Sequence, residues 1–376
     1  MTIGVLREPS FESRVALLPE AVATLVKKGL PVIVEQGAGD ASFSSDADYR
    51  EAGAEVADRQ AVLSGADLLL TLTAPAKEEL NSFSGKVIIG IYQPLYNQTL
   101  MQQFASAGIT VFSLDMLPRT TRAQVMDVLS SQANIAGYKA VLLAAATYGR
   151  YFPMFMTAAG SIKPAKVLIL GAGVAGLQAI ATAKRLGAVV EVFDTRPAVK
   201  EEAMSLGAKF VEVEGAADAS AAGGYAVEQS AEFLQRQKQR IAESIAKADI
   251  VITTAQIPGK KAPILITADM ISAMRKGCVI VDIAAATGGN TELTRNNETV
   301  NFKGVSIIGN SALAATMPSD ASKLLGKNIT NFIGLITAAD GSLELNFEDD
   351  LVAGSCITHQ GAIMHRAIQQ TQTQNS

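Results

Sequence analysis

The chain of 376 residues is poor in the side chains that most often carry acid–base, nucleophilic or metal chemistry. It has only two cysteines, Cys278 and Cys356, and neither stands in the spacing of a metal site, so we expect reduced thiols and no bound metal. Its only histidines, His359 and His365, lie far along the chain from the main motif described below. These absences argue against a metal centre and against chemistry that depends on a histidine acid or base.

A strong net charge and long apolar runs are also missing. With 32 basic and 36 acidic side chains the formal net charge is −4, which gives no electrostatic case for binding nucleic acid or an anionic membrane. The most apolar helical run, Ala140–Ala146, lies between Lys139 and Arg150 and is too short to span a bilayer. The first residues lead directly into Arg7 and Glu8, so we expect no signal peptide and no membrane crossing by this chain.

The best-defined motif is a glycine-rich turn between a strand and a helix. An apolar run, Lys166–Leu170, leads into Gly171, Gly173 and Gly176 at the G-x-G-x-x-G spacing, and a helix without Gly or Pro follows. In such turns the first glycine permits the tight turn, the second lets the backbone approach a pyrophosphate, and the third lets helix and strand pack closely. A glycine-rich turn that binds nothing is the alternative, but the flanking strands, the helix and a terminal acid favour a dinucleotide site.

That acid is Asp194, which ends the next strand-like run, Val189–Phe193. A carboxylate at this position would accept hydrogen bonds from both hydroxyls of the adenosine ribose. A 2′-phosphate would meet a like charge there, so the sequence favours NAD(H) over NADP(H). Arg196 leaves NADP(H) open, since a nearby arginine can accommodate a 2′-phosphate.

The alternation of apolar runs and helical segments predicts an α/β chain of two Rossmann-like, doubly wound parallel-sheet domains with a cleft between them. We place a discontinuous first domain at residues 1–128 plus 320–376, and an NAD(H)-binding domain at residues 135–320. The first domain should contain the strands Thr2–Leu6, Pro31–Glu35, Asp67–Thr71, Lys86–Ile91 and Thr110–Leu114. The second should contain the strands Lys166–Leu170, Val189–Phe193, Lys209–Val213, Asp249–Thr253, Cys278–Ile283 and Val305–Ile308. A helix, Ala321–Leu335, a short strand pair around Asp340-Gly341 and an extended tail are expected to follow.

Ligands of such sheets bind beyond the carboxyl ends of the strands. In the first domain the first strand is followed by Arg7-Glu8-Pro9 instead of the glycine motif, so we expect no dinucleotide pyrophosphate there. The predicted cofactor-binding residues of the second domain are Gly171, Gly173, Val174, Ala175, Gly176, Asp194, Thr195, Arg196, Thr254, Ala255 and Gln256.

Between the predicted domains, residues 119–132 are dense in polar side chains and lead into a long apolar helix expected from Ile135 to Tyr151. This segment could be an interdomain hinge helix with a solvated first turn. Alternatively, Gln124, Asp127 and Ser130 stand at i, i+3 and i+6, so on a helix they would share roughly one face. Such a face could hold a carboxamide, for example that of nicotinamide.

Hydride exchange between two nicotinamide rings would suit a chain with few acid–base candidates, because it needs alignment and a dry site but no proton transfer. An amino-acid dehydrogenase would instead need a group to exchange the substrate proton and an arginine for its carboxylate. Arg14 could be that arginine, whereas Lys27, Lys77 and Lys86 are the only acid–base candidates that we find, none of them compelling.

The block from Pro118 to Tyr138 (PRTTRAQVMDVLSSQANIAGY) closely resembles the proton-translocating nicotinamide nucleotide transhydrogenases, specifically their peripheral NAD(H)-binding component. The resemblance continues through Met156–Gly160, the glycine motif, Gly223–Ala226 and Ile257–Lys260, and so covers nearly the whole chain. The alanine dehydrogenases are related to this component, and they share the fold and the Glu12-x-Arg14-Val15-Ala16 pattern.

The resemblance implies roles for individual residues. Arg119, Gln124, Asp127 and Ser130 match the family loop that lines the nicotinamide: Gln124 would bridge toward the second nucleotide's ribose, and Asp127 and Ser130 would hold the carboxamide. Tyr225 matches a tyrosine on the family's mobile loop, which closes over bound nucleotide. The Ala/Gly/Ser-rich stretch 214–224 in front of it has no hydrophobic period; we expect a mobile surface loop, with an innocuous insertion as the alternative.

Two departures count against alanine dehydrogenase activity. Where those enzymes place a substrate-binding lysine the chain has Thr71, and their catalytic histidine, expected near Ile91-Tyr92-Gln93, is missing. The resemblance therefore implies a homodimeric subunit that binds NAD(H) and hands hydride to or from NADP(H) on a partner, with membrane-spanning partner subunits translocating protons. The chain would be cytoplasmic and peripheral on the inner face of the membrane. A soluble alanine-dehydrogenase-like enzyme and a nucleotide-sensing regulatory module are the rival hypotheses.

Overall fold

The computed structural model describes residues 1–213 and 230–369. Two compact units make up the chain: one contains Met1–Gln132 and the residues from Ala315 onward, and the other contains Ala133–Ala314. Among the described residues, no helix combines the length and the apolarity needed to cross a bilayer.

The strands and helices follow in chain order. The strands are β1 Ile3–Val5, β2 Val32–Glu35, β3 Glu55–Ala57, β4 Leu68–Leu70, β5 Val87–Gly90, β6 Thr110–Ser113, β7 Phe155–Thr157, β8 Gly160–Ile162, β9 Lys166–Leu170, β10 Val189–Phe193, β11 Lys209–Phe210, β12 Ile250–Thr253, β13 Val279–Asp282, β14 Glu298–Phe302, β15 Val305–Gly309, β16 Cys356–His359 and β17 Ala362–Ile363. The helices are α1 Pro19–Lys27, α2 Asp46–Glu51, α3 Arg59–Gly65, α4 Gln98–Ser106, α5 Val128–Thr147, α6 Val174–Arg185, α7 Lys200–Ser205, α8 Ala231–Ile245, α9 Ala268–Ser272, α10 Pro318–Ile333 and α11 Asp350–Ser355.

The sheet of the first unit has the order β17-β16-β6-β5-β4-β1-β2-β3. The six strands from β6 to β3 run parallel, and β16 pairs antiparallel with β6 at one end. Successive residues of the parallel strands point to opposite faces, and both faces are covered: Leu68 and Leu70 contact a core that includes α10, whereas Leu69 contacts a core that includes α3 and α4. This explains why these strands are continuously apolar.

The sheet of the second unit has the order β11-β10-β9-β12-β13-β15-β14. All its pairings are parallel except that of β14 with β15. Val167 and Ile169 of β9 pack in a core with residues of α5 and α6, and Leu168 and Leu170 pack on the other face with residues of α8 and α9. Both units therefore confirm the predicted α/β class with parallel, doubly wound sheets.

Some predicted elements are wrong or incomplete. The helix expected from Ile135 begins at Val128, because Asp127 caps it. The strand pair around Asp340-Gly341 is reduced to a single bridge between Thr337 and Leu343. The expected extended tail contains α11, β16 and β17, since Cys356-Ile357-Thr358 add to the free edge of β6. The sequence interpretation also missed β3, α3, the β7–β8 hairpin and β14, which are short or lie at edges.

Candidate functional site

The glycine turn of the second unit has the geometry of a dinucleotide site. Gly171 follows β9 with φ +105°, a left-handed conformation that side chains other than glycine rarely adopt, and a Cβ there would lie 2.4 Å from Thr254 Oγ1. A Cβ on Gly176 would lie 1.9 Å from the carbonyl oxygen of Gly171. The first and third glycines are therefore required by the protein's own backbone.

Gly173 differs from its two neighbours in this respect. Its φ is −75°, and a methyl group added there would find Arg196 Nη2, at 3.9 Å, as its nearest atom in the described part of the chain beyond its own neighbours, which is an ordinary contact. The fold thus leaves open the space above Gly173, which is where a pyrophosphate approaches such a turn. Gly173 is also the N-cap of α6 and offers no side-chain oxygen to the first-turn N–H groups, so this helix end fits an anion.

Asp194 lies at the carboxyl end of β10 and is tied into the turn. Its Oδ2 accepts a 2.7 Å hydrogen bond from the backbone N–H of Ala172, and Arg196 binds both carboxylate oxygens through Nε at 2.9 Å and Nη2 at 2.8 Å. The hydrogen bond to Asp194 raises the pKa of the Arg196 guanidinium above its ordinary value. The acid expected at the ribose and the arginine expected near a 2′-phosphate therefore form one ion pair, with the Asp194 side chain only 6% exposed.

The segment after β12 lies beside the glycine turn. Thr254 Oγ1 donates to the carbonyl of Gly171 at 3.2 Å, and Ala255 exchanges two hydrogen bonds with the side chain of Asn290, at 3.0 Å and 2.8 Å. Asn290 is fully buried, and its own N–H donates to Asp282 Oδ2 at 2.6 Å. Asp282 and Asn290 thus set the position of Thr254–Gln256.

The predicted cofactor-binding residues of the second unit that lie within the described ranges follow the carboxyl ends of β9, β10 and β12, which are neighbours in the sheet. Val174 and Ala175 form the first turn of α6, and Thr195 lies between Asp194 and Arg196. Tyr225 and the stretch 214–224 lie outside the described residues. Sequence reasoning missed Asp282 and Asn290, because nothing local marks contacts to a loop so distant along the chain.

The polar segment of the first unit is not one continuous helix, so the predicted shared helical face is wrong. Residues Thr121–Met126 form a 3₁₀-helix, Asp127 leaves the helical region with ψ 90°, and α5 begins at the next residue. Asp127 is an N-cap: its Oδ1 accepts the backbone N–H of Ser130 at 2.9 Å, and its Oδ2 accepts the Ser130 hydroxyl at 2.6 Å. Asp127 and Ser130 are therefore adjacent because Asp127 caps the helix that contains Ser130, and not because both lie on one helical face.

Gln124 and Arg119 are both exposed in the same stretch. Ala123 and Met126 are buried in the core of the first unit and anchor the 3₁₀-helix on either side of Gln124. The exposed amide of Gln124 therefore lies on a backbone that is fixed by the buried side chains of Ala123 and Met126.

Three positions singled out for an amino-acid dehydrogenase have other partners here. The guanidinium of Arg14 binds both oxygens of Glu12, at 2.8 Å and 2.6 Å, and donates to Gln132 Oε1 at 2.9 Å. The Thr71 hydroxyl lies 2.7 Å from the hydroxyl of Tyr92, and both residues are buried. Burial raises the pKa of the Tyr92 phenol far above its ordinary value, so this hydroxyl stays protonated near neutral pH.

Comparisons with known proteins point to one family. The family model described as "Alanine dehydrogenase/PNT, N-terminal domain" matches residues 4–136, and the one described as "Alanine dehydrogenase/PNT, C-terminal domain" matches residues 140–366. The first part of the NAD(P) transhydrogenase subunit alpha of Rhodospirillum rubrum is 44% identical over 367 residues, which are 95% of this chain and 96% of that protein. The crystal structure of the transhydrogenase from Sinorhizobium meliloti has a TM-score of 0.88 at 44% identity, covering 96% of this chain and 100% of that one. An alanine dehydrogenase of Staphylococcus saprophyticus is 30% identical over 302 residues, 78% of this chain and 75% of that protein.

Proposed function

Since the chain belongs to the alanine dehydrogenase/PNT family, we propose that it is the NAD(H)-binding subunit of a proton-translocating NAD(P) transhydrogenase. The family includes two activities, and the buried Thr71–Tyr92 hydrogen bond carries the choice between them. These are the positions where the resemblance places the lysine and, nearby, the histidine of an alanine dehydrogenase. A mutually satisfied, buried pair of hydroxyls supplies neither a cation for the substrate nor a base.

Arg14 does not separate the two activities, because the alanine dehydrogenases share the Glu12-x-Arg14 pattern, but its contacts show what a carboxylate substrate would meet here. Its guanidinium is engaged in a bidentate pair with Glu12, whose side chain is only 8% exposed. A carboxylate substrate would have to compete with this internal carboxylate for the same donors. Hydride exchange between two nicotinamides needs neither a carboxylate clamp nor an acid–base group.

The residues of the second unit would bind the nucleotide. The backbone around Gly173 and the first turn of α6 would hold the pyrophosphate. Asp194 and Arg196 would hold the adenosine ribose, and Thr254–Gln256 would contact the ring end of the nucleotide. NAD(H) is the nucleotide that Asp194 favours. When bound, NADH would supply the hydride that reduces NADP⁺ and would itself become NAD⁺, and in the reverse direction NAD⁺ would accept the hydride from NADPH.

The residues of the first unit would orient the ring and exclude water. Asp127 and Ser130 would hold the carboxamide, Gln124 would reach toward the second nucleotide, and Arg119 would complete the loop. In this proposal NADP(H) resides on a partner subunit and proton translocation belongs to membrane-spanning subunits. The chain itself would be a cytoplasmic, peripheral part of that assembly on the inner face of the membrane.

An exposed hairpin supports a homodimer. Among the strands that the structure describes, β7 and β8 pair only with each other, and every residue of both strands is exposed, including Phe155 at 42%, Met156 at 78% and Ile162 at 42%. A two-stranded hairpin with exposed apolar side chains is marginal by itself and is typical of a protein–protein surface. A second copy of the chain is the occupant that we propose. Met156→Asp should shift the sedimentation coefficient from dimer to monomer, and an unchanged oligomeric state would contradict this assignment.

One assay separates the proposed function from its rivals. The chain is mixed with NADH and either with pyruvate and ammonia or with NADP⁺-loaded partner subunits of a transhydrogenase. We expect NADH oxidation only in the second mixture. Turnover with pyruvate and ammonia alone would support the amino-acid dehydrogenase, and NADH binding without oxidation in any mixture would support a nucleotide sensor.

The role proposed for Gln124 is tested by Gln124→Asn. Shortening the side chain should slow hydride transfer by tenfold or more, because about 1 Å of misplacement can cost a factor of about 100. The dissociation constant of NADH, measured by fluorescence titration, should change much less. Equal losses in both quantities would contradict a positioning role.

A further inference from the structure

Two asparagine side chains of α10 hold the backbone between Gln124 and Asp127. The amide nitrogen of Asn328 donates to the carbonyl oxygen of Val125 at 2.8 Å, and that of Asn331 donates to the same oxygen at 2.9 Å. Asn328 and Asn331 stand at i and i+3 and so share one face of the helix. A carbonyl oxygen has two lone pairs, and this one uses both for the two amides.

The shared carbonyl lies where the helical backbone is interrupted. The 3₁₀-helix ends at Met126 and α5 begins at Val128. In an uninterrupted α-helix, the carbonyl of Val125 would accept the N–H four residues later. The two asparagine amides take the place of that donor, so they stabilise the break that exposes Gln124 and makes Asp127 an N-cap.

A second attachment to α10 follows on the other side of Asp127 and Ser130. Gln132 Nε2 donates to the carbonyl of Ala321 at 3.2 Å, and Gln132 Oε1 accepts from Arg14 Nη1 at 2.9 Å. The short stretch that carries Asp127 and Ser130 is therefore tied to one helix at both ends. Arg14, which sequence reasoning considered as a substrate clamp, contributes to the second tie.

The position of Asn328 is costly for stability. The residue is 8% exposed, and its buried Oδ1 has no hydrogen-bond partner within residues 1–213 and 230–369. A buried acceptor without a partner carries a desolvation penalty that an apolar side chain of similar size would avoid. The side chain of Asn328 offsets this penalty in part through its hydrogen bond to the carbonyl oxygen of Val125.

We propose that Asn328 and Asn331 are positioning residues for hydride transfer, acting through the carbonyl of Val125 on Gln124 and Asp127. This inference rests on the proposed function. If the two amides share one task, either of them alone keeps the carbonyl satisfied, and only the loss of both releases the segment.

The test compares Asn328→Ala, Asn331→Ala and the double variant. Single-turnover oxidation of bound NADH is followed after mixing with NADP⁺-loaded partner subunits, and the NADH dissociation constant is measured separately. We expect each single variant to keep the transfer rate within about threefold, and the double variant to lose about 10- to 100-fold, more than the product of the two single losses. The NADH dissociation constant should stay within about threefold throughout, because the pyrophosphate and ribose contacts lie in the other unit.

Asn97→Ala is a matched control, since Asn97 Nδ2 donates to the carbonyl of Tyr92 at 2.9 Å in the same unit. It removes the same kind of hydrogen bond and should leave the transfer rate unchanged. Transfer at the wild-type rate by the folded double variant, or rate losses that only multiply, would overturn the proposal. Should the double variant fail to fold, Asn331→Ala combined with Asn328→Asp is used, because a carboxylate repels the same carbonyl while keeping the side chain's shape. A wild-type chain without transfer to the partner would instead overturn the proposed function.

Discussion

The two units build their parallel strands in the same order, with the first strand beside the fourth, yet they use the crevice between those two strands differently. In the second unit the turn after β9 leaves space above Gly173, and the segment after β12 supports it through Thr254. In the first unit Glu8, after β1, reaches the segment after β4 and accepts the N–H groups of Leu72 at 2.6 Å and Thr73 at 3.0 Å.

The comparison shows what a shared strand order does and does not determine. The order creates a crevice lined by backbone N–H groups in each unit. In the first unit the protein's own carboxylate satisfies such groups, whereas the second unit leaves the end of α6 without a side-chain cap. Which crevice can take an anionic ligand is thus decided by the few residues after the first strand. Three variants test this distinction.

The largest effect on folding is expected from Gly176→Ala. The new methyl group would lie 1.9 Å from the carbonyl oxygen of Gly171, and backbone cannot give way as a flexible side chain can. We expect the free energy of unfolding to fall by about 3 kcal/mol, in the range of overpacked cores. Thermal unfolding followed by circular dichroism measures the loss. Gly149→Ala, where nothing lies within 4 Å of the added methyl group, is the matched control and should be nearly neutral.

Gly173→Ala should separate binding from folding. Beyond the chain neighbours of Gly173, the added methyl group meets no atom of the described residues closer than 3.9 Å. The free energy of unfolding should therefore fall by about 1 kcal/mol or less, the cost of alanine at an N-cap. The methyl group would occupy the space proposed for the pyrophosphate, and NADH should bind at least tenfold more weakly, a loss of about 1.4 kcal/mol. Titration of NADH fluorescence measures the affinity. Unchanged affinity in a folded variant would show that the second crevice does not hold the pyrophosphate as we propose.

The smallest effect is expected from Glu8→Gln. Burial raises the pKa of the Glu8 carboxyl above its ordinary value of 4.5, although hydrogen bonds from Thr73 and Leu72 partly oppose this. The amide nitrogen of glutamine would face an N–H or hydroxyl donor instead of accepting from it. The free energy of unfolding of the variant should therefore be about 1 kcal/mol lower near pH 7, and its NADH affinity should be unchanged.

The same variant has a predictable pH dependence. The folded state binds the Glu8 proton more tightly than the unfolded state does. The contribution of Glu8 to the free energy of unfolding is therefore fully present below pH 4.5 and declines as the pH rises through the raised pKa. The stability difference between wild type and Glu8→Gln should therefore shrink from acid to neutral pH in urea unfolding. The exposed Glu78→Gln serves as control, and a difference that grows with pH would contradict the assignment.

Sequence reasoning succeeded where local signals and buried structure coincide. The bounds of β9 and β10 agree with the predicted runs, because a strand buried on both faces is continuously apolar and the glycine motif marks its end. It failed at Asp127, where a spacing of three residues suggested one helical face. An aspartate directly before a helical run is an N-cap signal, and this signal describes the structure.

Other features had no local signal. The ties from Asn328 and Asn331 to Val125 join residues about two hundred positions apart, and no periodicity or motif connects them. The ion pair between Asp194 and Arg196 was within reach of the sequence, since both residues were singled out, but each was assigned separately to the nucleotide. Their mutual contact became visible only with side-chain geometry.

The hydrogen bond from Ser130 to Asp127 also determines the polarity of this corner of the molecule. The single hydroxyl proton of Ser130 is spent on Oδ2, and a carboxylate has none, so together they present lone pairs only. Such a surface can receive the N–H groups of an amide, has nothing to give a carbonyl oxygen, and repels an acid. A nicotinamide ring bound here would donate hydrogen bonds from the nitrogen of its carboxamide. The deamidated dinucleotide, which carries nicotinate instead, would bind poorly.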